Sequence, residues 1–423
     1  MKNVIKMSLV AAVVAGMSSV SVQAADGINL LDNIKMKGEL RPRYEMVDTN
    51  NNVNNANAVT NRLVLGVGAD VAGTDWLSVY GEMTDVHALN PNNYNSTDNG
   101  GGSGNINKVV DPEQTRVTQA YADVKVGKTL LRAGRQMINL DNQRFVGAVG
   151  WRQMPQTFNA FLVANNSIEN LSLAASWVTG VNTVKAGAAD SYGAKVGVLH
   201  AAYKVADALT VTGYGYLIAV ETAGFDTYGL ALTGKPKLGD GMTLNYRAEY
   251  ATQKDASLEY HSYGKGDADA SYYNLELGIN MSGILAGVNY EVLSGQGDAA
   301  VGGDTTFQTP LATGHKFNGW ADVFLNNGGQ GGLEDANIML GYKSKDLGLF
   351  KVIYHTFSAE ASVAGENDDY GTEIDAVYKR AIPGVKGLTG MLKYADFSAE
   401  GGTSAYDTDV QKVWVMLDYK FSN

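Results

Sequence analysis

The sequence predicts an all-β fold: a transmembrane, antiparallel, up-and-down β-barrel of about 18 strands with short periplasmic turns and long extracellular loops. Three observations support this prediction. The N terminus has the pattern of an export signal, polar and apolar residues alternate with period two in segment after segment, and short turns alternate with long polar loops between those segments.

Residues 1–24 have the pattern of a secretory signal peptide. Lys2 and Lys6 precede an apolar stretch, and the small-residue site Val22-Gln23-Ala24 follows it. We expect cleavage after Ala24, which leaves residues 25–423 as a single barrel domain because no linker or change of composition divides them. A membrane anchor is the alternative, but a membrane-spanning helix needs about 20 apolar residues and this stretch is shorter.

The composition fits a barrel and argues against several other classes. The chain has 423 residues, with 50 Gly, 23 Tyr, 7 Pro and no Cys, and its net charge is -11. Without cysteine it forms no disulfide and no thiolate metal site. An acidic chain without a basic run is a poor candidate for nucleic-acid binding.

No catalytic or cofactor motif stands out in the sequence. The five histidines are scattered and lack the spacing of metal ligands. There is neither a serine nucleophile motif nor a loop that would cradle a phosphate. We therefore predict no metal, no cofactor and no enzymatic activity, although residues far apart in the sequence can meet across a barrel.

The alternation is regular in the first strand. Polar Lys37, Glu39 and Arg41 alternate with Leu40 and Pro42, and in a strand these two sets point to opposite faces. A soluble antiparallel sheet alternates in the same way, but here the pattern continues along the chain without helices to cover the apolar face. The predicted strands are 35–46, 59–71, 75–87, 113–125, 129–137, 155–166, 170–180, 192–205, 209–220, 224–236, 242–254, 270–281, 284–293, 333–343, 348–359, 370–381, 387–397 and 410–421.

The connections between these strands come in two lengths. Tight turns rich in Gly, Asp, Asn and Ser alternate with long polar segments, and both chain ends fall on the side of the short turns. A barrel of sixteen strands is the alternative, if the weak pair within 209–236 is miscounted. The long connections are 47–58, 88–112, 138–154, 181–191, 254–269, 294–332, 360–369 and 398–409.

Eight of the ten arginines lie between Arg41 and Arg152. Alternation points Arg41, Arg43 and Arg62 into the lumen, and a charge facing lipid at mid-bilayer would cost about 2–4 kcal/mol. Basic side chains lining a pore favour anions. The alternative is a structural role, in which they pair with lumen carboxylates such as Glu39, Glu45 and Glu82. The predicted pore-lining residues are Arg41, Arg43, Arg62, Arg132, Arg135, Arg144, Arg152 and Glu249. Acidic residues predicted for the opposite wall are Glu249, Glu276, Glu291, Glu373 and Asp375.

Two loop segments are unlike ordinary polar loops. Residues 134–160 combine arginines and glycines with Phe145 and Trp151, which predicts a constriction folded into the lumen. In residues 315–325, Phe317, Trp320 and Phe324 recur at three- and four-residue spacing, which predicts a short amphipathic helix. Both segments fit loop packing that seals the mouth, and both also fit a site for sugars.

These two segments, in this order within an 18-strand chain, resemble the alginate-export-type family of bacterial outer-membrane porins. The resemblance implies an arginine-lined constriction that passes anionic polysaccharides or other small acids. One departure is the C terminus, where Phe421 is followed by Ser422 and Asn423 rather than ending the chain.

The functional expectation is a porin-type channel in the outer membrane of a Gram-negative bacterium. It would pass small hydrophilic solutes, anionic or saccharide-like, without an energy source; the alternatives are a general diffusion porin and, after it, an enzyme or adhesin. The expected partners are outer-membrane lipid, lipopolysaccharide and the solutes themselves, while assembly into a homo-oligomer is left open.

Overall fold

The computed structural model describes residues 30–51, 53–96, 105–221, 223–239, 241–258, 269–297, 306–401 and 406–423. Each barrel strand pairs antiparallel with the barrel strand that follows it in sequence, and the first strand pairs with the last from Lys37 opposite Ser422 to Thr49 opposite Val410. This last pairing closes the sheet into a barrel and leaves no open edge. The predicted signal peptide lies outside the described residues and stays a prediction.

The barrel strands agree with the predicted strands to within a few residues at most ends, and the first strand is the one that is clearly longer than predicted. Their bounds are β1 Leu31–Thr49, β2 Ala56–Val71, β3 Leu77–Ala88, β4 Gln114–Val126, β5 Thr129–Gln136, β6 Thr157–Asn165, β7 Leu171–Asn182, β8 Ser191–Ala206, β9 Leu209–Val220, β10 Ala223–Gly234, β11 Lys237–Gly239, β12 Met242–Asp255, β13 Asp269–Met281, β14 Ile284–Leu293, β15 Leu333–Ser344, β16 Gly348–Ser358, β17 Asp369–Ala381, β18 Leu388–Ala399 and β19 Val410–Ser422.

The described strands form an 18-strand barrel, as predicted, because β10 and β11 are two parts of one barrel strand. Both pair with β12, and the interruption falls at Lys235 and Pro236. Proline has no N–H to donate to a neighbouring strand, so pairing breaks there. The sequence had predicted one continuous strand over 224–236, and the sixteen-strand alternative does not form.

Helical structure in the described residues takes the form of short 3-10 turns, among them Pro91–Asn93, Gly187–Ala189, Gly314–Lys316 and Gly329–Gly331. No helix in the described part of the chain is long and apolar enough to cross a membrane. The amphipathic helix predicted around Phe317 to Phe324 was wrong. Asn318, Gly319 and Asp322 have φ of 53°, 81° and 60°, and three left-handed residues within a five-residue stretch are incompatible with an α-helix.

The outward face of the barrel is a belt of large exposed apolar side chains, as a lipid-facing surface requires. Aromatic residues sit at its borders: Tyr342, Phe350 and Tyr378 are direct neighbours on adjacent strands near the periplasmic ends. Towards the extracellular side, Tyr250 and Tyr273 are paired with ring centroids 5.1 Å apart. These positions match the two aromatic girdles of outer-membrane barrels.

The inward face is covered in its extracellular half by two loops. We call residues 137–156, between β5 and β6, the first inward loop, and residues 306–332, before β15, the second inward loop. Each is anchored by a buried phenylalanine. Phe145 packs on Tyr214, Tyr216, Tyr272 and Phe307. Phe324 packs on Phe357, Tyr370, Phe397 and Tyr406.

Candidate functional site: the luminal constriction

The two inward loops contact each other and form one unit across the lumen. The N–H of Gly147 donates to the carbonyl oxygen of Leu311 at 2.9 Å. The N–H of Val149 donates to Oγ1 of Thr313 at 3.1 Å. Such main-chain bonds fix the position of one loop relative to the other. The alternation of polar and apolar residues along the strands does not predict these bonds.

The backbone of the first inward loop accepts hydrogen bonds from two arginines of β1. Arg41 donates from Nη1 to the carbonyl oxygen of Gly150 at 3.0 Å, and Arg43 donates from Nη1 to that of Trp151 at 2.7 Å. Arg43 also forms an ion pair with buried Asp111, from the connection before β4. Two of the predicted pore-lining arginines therefore hold a loop in place.

Arg152 connects the first inward loop to the second inward loop and to the neighbouring strands β1 and β19. Its Nη1 lies 3.0 Å from Oε1 of Glu45 on β1, and its Nη2 lies 3.0 Å from Oδ2 of Asp322 in the second inward loop. The same oxygen of Asp322 accepts from Lys412 of β19 at 3.0 Å. A buried carboxylate between two cations is well compensated, and losing it leaves both cations unpaired.

His315 continues this network as a neutral imidazole. Its Nδ1 lies 2.6 Å from Oδ1 of Asp322, and its Nε2 lies 2.6 Å from Nζ of Lys393. Burial, reinforced by Lys393 and opposed by Asp322, lowers the pKa of His315 to about 3. A neutral ring donates from Nδ1 to Asp322 and accepts at Nε2 from Lys393, in agreement with both contacts.

The pKa of Asp322 is held well below its usual range. Burial alone acts to raise it, but His315, Lys412 and Arg152 together outweigh burial. Since His315 is neutral, we attribute the lowering chiefly to the two cations. Asp322 is therefore ionised at neutral pH.

Lys393 lies among three tryptophans. Its Nζ is 4.2 Å from the ring centroid of Trp151, 3.8 Å from that of Trp320 and 5.3 Å from that of Trp414. An ammonium group over aromatic faces is favourable, more so when water is excluded. Because the tryptophans come from the two inward loops and from β19, this cluster ties both loops to the wall.

The opposite wall holds the loops through carboxylates. Arg144 of the first inward loop donates from Nε to Oε1 of Glu291 at 2.9 Å and from Nη2 to Oδ1 of Asn318 at 3.0 Å. The N–H of Ala321 donates to Oε1 of Glu373 at 2.8 Å. In the described residues no group of three or more His, Asp or Glu side chains is arranged to hold a metal ion.

The other predicted arginines lie apart from this network. Arg62 faces the lumen directly opposite Arg41 in the strand register. Arg132 faces the lumen and bonds Asp123 through both Nε and Nη2. Arg135 is a correction to the predicted set. It lies four residues after exposed Leu131 on the same strand, and residues an even number apart share a face, so Arg135 lies on the outward face.

The remaining predicted residues line or fill the lumen. Glu249 is buried and accepts from Oη of Tyr214 at 2.8 Å and from Nε of Arg247 at 2.7 Å. Phe317 lies 4.9 Å from the guanidinium carbon of Arg144. Phe145 and Trp320 are buried and Trp151 is half-buried, so the aromatic segments serve loop packing, one of the two roles that the sequence left open.

Sequence reasoning missed Lys393, Trp414 and Asp322. Each is a single polar or aromatic residue, and nothing in its local pattern shows that the three converge. Lys393 alternates with apolar Leu392 and Tyr394, which identifies it as inward-facing and nothing more.

Solved structures of outer-membrane proteins share this fold. OccK1 (OpdK) of Pseudomonas aeruginosa matches with a TM-score of 0.69 and 14% identity, over 92% of this chain and 99% of that one. OccAB4 of Acinetobacter baumannii matches with a TM-score of 0.71 and 14% identity, over 93% and 99%. OpdL of Pseudomonas aeruginosa matches with a TM-score of 0.66 and 16% identity, over 92% and 99%.

The search of curated proteins returned no match. The sequence model of one family, the Campylobacter major outer membrane protein, matches residues 1–231, more than half of the chain. These comparisons support an outer-membrane porin and do not support the alginate-export label suggested by the two loop segments. The closed barrel, its lipid-facing belt and this match identify an outer-membrane porin-type channel, and the chain belongs to the family of the Campylobacter major outer membrane protein.

Proposed function

We propose that the channel passes small hydrophilic solutes passively and prefers anions. One observation carries the proposal: Glu39 is shared by three cations. Its carboxylate lies 2.8 Å from Arg41, 3.5 Å from Arg62 and 3.8 Å from Lys420. Among the described residues it is the one carboxylate within ion-pair distance of both Arg41 and Arg62, so these two arginines share a single ion-pair partner, whereas Lys420 also pairs with Asp418 at 3.4 Å.

Unpartnered donors support the same proposal. Nε of Arg41 and both Nε and Nη1 of Arg62 are buried without an aligned hydrogen-bond acceptor among the described residues. A buried donor without an acceptor is costly. These donor atoms have almost no accessible surface, so they support the proposal through the incompletely paired charge of the two guanidinium groups and not through direct contact with a passing anion. By contrast, Arg132 and Arg152 are matched by carboxylates, so they contribute less to selectivity.

The proposal is tested by the double variant Arg41→Gln plus Arg62→Gln in planar bilayers. We expect the wild-type channel to prefer chloride over potassium in a tenfold KCl gradient, and the variant to lose that preference several-fold, because a charged ring sets ion selectivity. The matched control is Arg380→Gln, which removes one arginine from the outward face of β17 near its periplasmic end.

Two results would contradict the proposal: a wild-type channel without anion preference, or an unchanged reversal potential in the double variant. Uronate oligomers probe the narrower alginate-export form of the proposal. Block of the chloride current by these oligomers supports a polyuronate solute, whereas an unblocked current leaves a general diffusion porin with weak anion preference.

A further inference from the structure

Two tyrosines face the lumen on the periplasmic side of the inward loops. Tyr80 of β3 and Tyr121 of β4 are directly paired, with ring centroids 5.2 Å apart and ring planes inclined by 35°. Tyr80 lies two residues before buried Glu82 and therefore on the same, inward face of β3, while its neighbour Val79 is exposed on the outer face. Both rings are only half-buried, so part of each is accessible from the lumen.

Glycines let the Tyr80 ring lie against the wall. The register places Gly68 beside Tyr80 and Gly134 beside Tyr121, so a glycine flanks the pair on each side. A Cβ at Gly66 would lie 2.2 Å from Oη of Tyr80, and one at Gly68 would lie 3.3 Å from its Cδ2. One face of this ring therefore rests on the β2 backbone, which leaves its other face towards the lumen.

Two cations border the rings. Nζ of Lys37 lies 4.9 Å from the ring centroid of Tyr80, and the guanidinium carbon of Arg132 lies 3.8 Å from that of Tyr121. Arg132 is fixed by its two bonds to Asp123. Lys37 pairs with Glu82 at 2.9 Å, and its side chain is 52% exposed, so its ammonium group is accessible to a solute in the lumen.

We propose that Tyr80, Tyr121, Lys37 and Arg132 form a binding site for a small aromatic carboxylate in the periplasmic half of the lumen. The ring of the solute stacks on the accessible face of Tyr80, where offset stacking of aromatic rings is favourable. Its carboxylate meets Lys37, and the immobile Arg132 bounds the site on the side of Tyr121. The inference rests on the proposed function, because the solute reaches this site only through an anion-passing lumen.

Single-channel recording with benzoate on the periplasmic side tests the site. We expect concentration-dependent block of the wild-type current. In Tyr80→Leu the half-blocking concentration should rise at least fivefold, while Tyr80→Phe, which keeps the ring and loses only the hydroxyl bond to Glu82, should keep wild-type block. Tyr250→Leu, a tyrosine lost from the lipid-facing surface, is the matched control and should leave block unchanged.

Solute controls separate the parts of the site. Acetate has the carboxylate without the ring, and benzyl alcohol has the ring without the charge, so neither should block at concentrations where benzoate does. Lys37→Gln should weaken benzoate block by a similar factor to Tyr80→Leu. Should Tyr80→Leu fail to assemble, Tyr121→Leu probes the same pair of rings and should also weaken block.

Equal block of wild-type and Tyr80→Leu channels by benzoate, or equal block by acetate and benzoate, would overturn this inference. Its failure is distinguishable from failure of the proposed function. Tyr80→Leu should leave the reversal potential in a KCl gradient unchanged, whereas loss of anion preference in the wild-type channel overturns the proposed function whatever benzoate does.

Discussion

At the scale of single residues, Asp322 is the position where we expect a substitution to destabilise the constriction most. Its carboxylate faces Arg152, Lys412 and His315. We predict that Asp322→Asn destabilises the docked loops by about 3–5 kcal/mol, because removing one partner of a buried ion pair leaves the other charges uncompensated. Thermal unfolding followed by tryptophan fluorescence measures this, since Trp151 and Trp320 belong to the network.

The control for Asp322→Asn is Asp346→Asn, in the exposed turn between β15 and β16. It removes the same charge where solvent screens it, so we expect a change below about 0.5 kcal/mol. Equal melting of the two variants would show that the network around Asp322 does not hold the loops.

The lowered pKa of His315 predicts how the stability of the docked loops depends on pH. Folding lowers its pKa from 6.5 to about 3, so between these values the unfolded chain binds the extra proton. Stability therefore declines as pH falls from 6.5 towards 3. We expect lower melting temperatures at pH 4.5 than at pH 7, with a smaller difference in His315→Asn.

Asp322 acts in the same direction, because its pKa is lowered on folding and its contribution is lost as pH falls below the usual range of a carboxyl group. The matched control is His87→Asn, an exposed histidine on β3. If His87→Asn and His315→Asn flatten the pH profile equally, the assignment of the effect to the network is wrong.

At the scale of elements, the second inward loop is shaped by a turn that requires glycine. Gly319 has φ of 81°, and a Cβ there would lie 2.3 Å from Oε2 of Glu373. We predict that Gly319→Ala costs more than 2 kcal/mol, because it adds a clash with a buried side chain to the strain of a left-handed residue. Unfolding in urea and the open-channel noise of single channels would both report it.

Gly384 provides the control for this prediction. It has a similar φ of 80°, but a Cβ there meets nothing within 4 Å. Gly384→Ala therefore carries the backbone strain alone, at about 1 kcal/mol. If the Gly319→Ala channel is no less stable and no noisier than the Gly384→Ala channel, the Glu373 side chain can move away from the added methyl group and the predicted clash is wrong.

At the scale of the whole molecule, charge is distributed unevenly along the barrel axis. Lumen-facing lysines sit at the periplasmic strand ends: Lys37, Lys125, Lys204, Lys343, Lys379 and Lys420. The described extracellular connections and strand ends are mostly acidic, with Glu113, Asp190, Glu221, Glu360, Glu366, Asp368, Asp369, Glu400, Asp407 and Asp409. Anions thus concentrate at one mouth and cations at the other.

This asymmetry predicts a rectifying channel. Current should be larger when the periplasmic side is negative, because anions then enter from the basic mouth and cations from the acidic one. Lys125→Gln, Lys343→Gln and Lys379→Gln combined should bring the current ratio at opposite voltages close to one, whereas Arg380→Gln should not. The ratio should also fall at 1 M KCl, where the Debye length is only about 3 Å. A symmetric wild-type current at low salt would contradict the prediction.

The sequence by itself determined the barrel, its strand order and which face of most strands meets lipid; Arg135 of β5 is an exception. Period-two alternation shows directly to which side of the sheet each side chain points. The outward position of Leu40 and the inward position of Arg41 follow from the neighbouring residues alone. The alternation of short turns and long loops encodes the count of strands. These are local properties, so a single sequence sufficed to predict them.

Only the tertiary structure decided what happens inside the lumen. Loop residues have no period, and the backbone of the second inward loop uses left-handed residues where the spacing of Phe317 and Trp320 predicted a helix. Lys393 meets Trp151, which lies far away in sequence, only because the barrel closes and both loops turn inward. The arginine-rich wall could be read from the sequence; which arginines hold loops and which share Glu39 depends on contacts across the barrel.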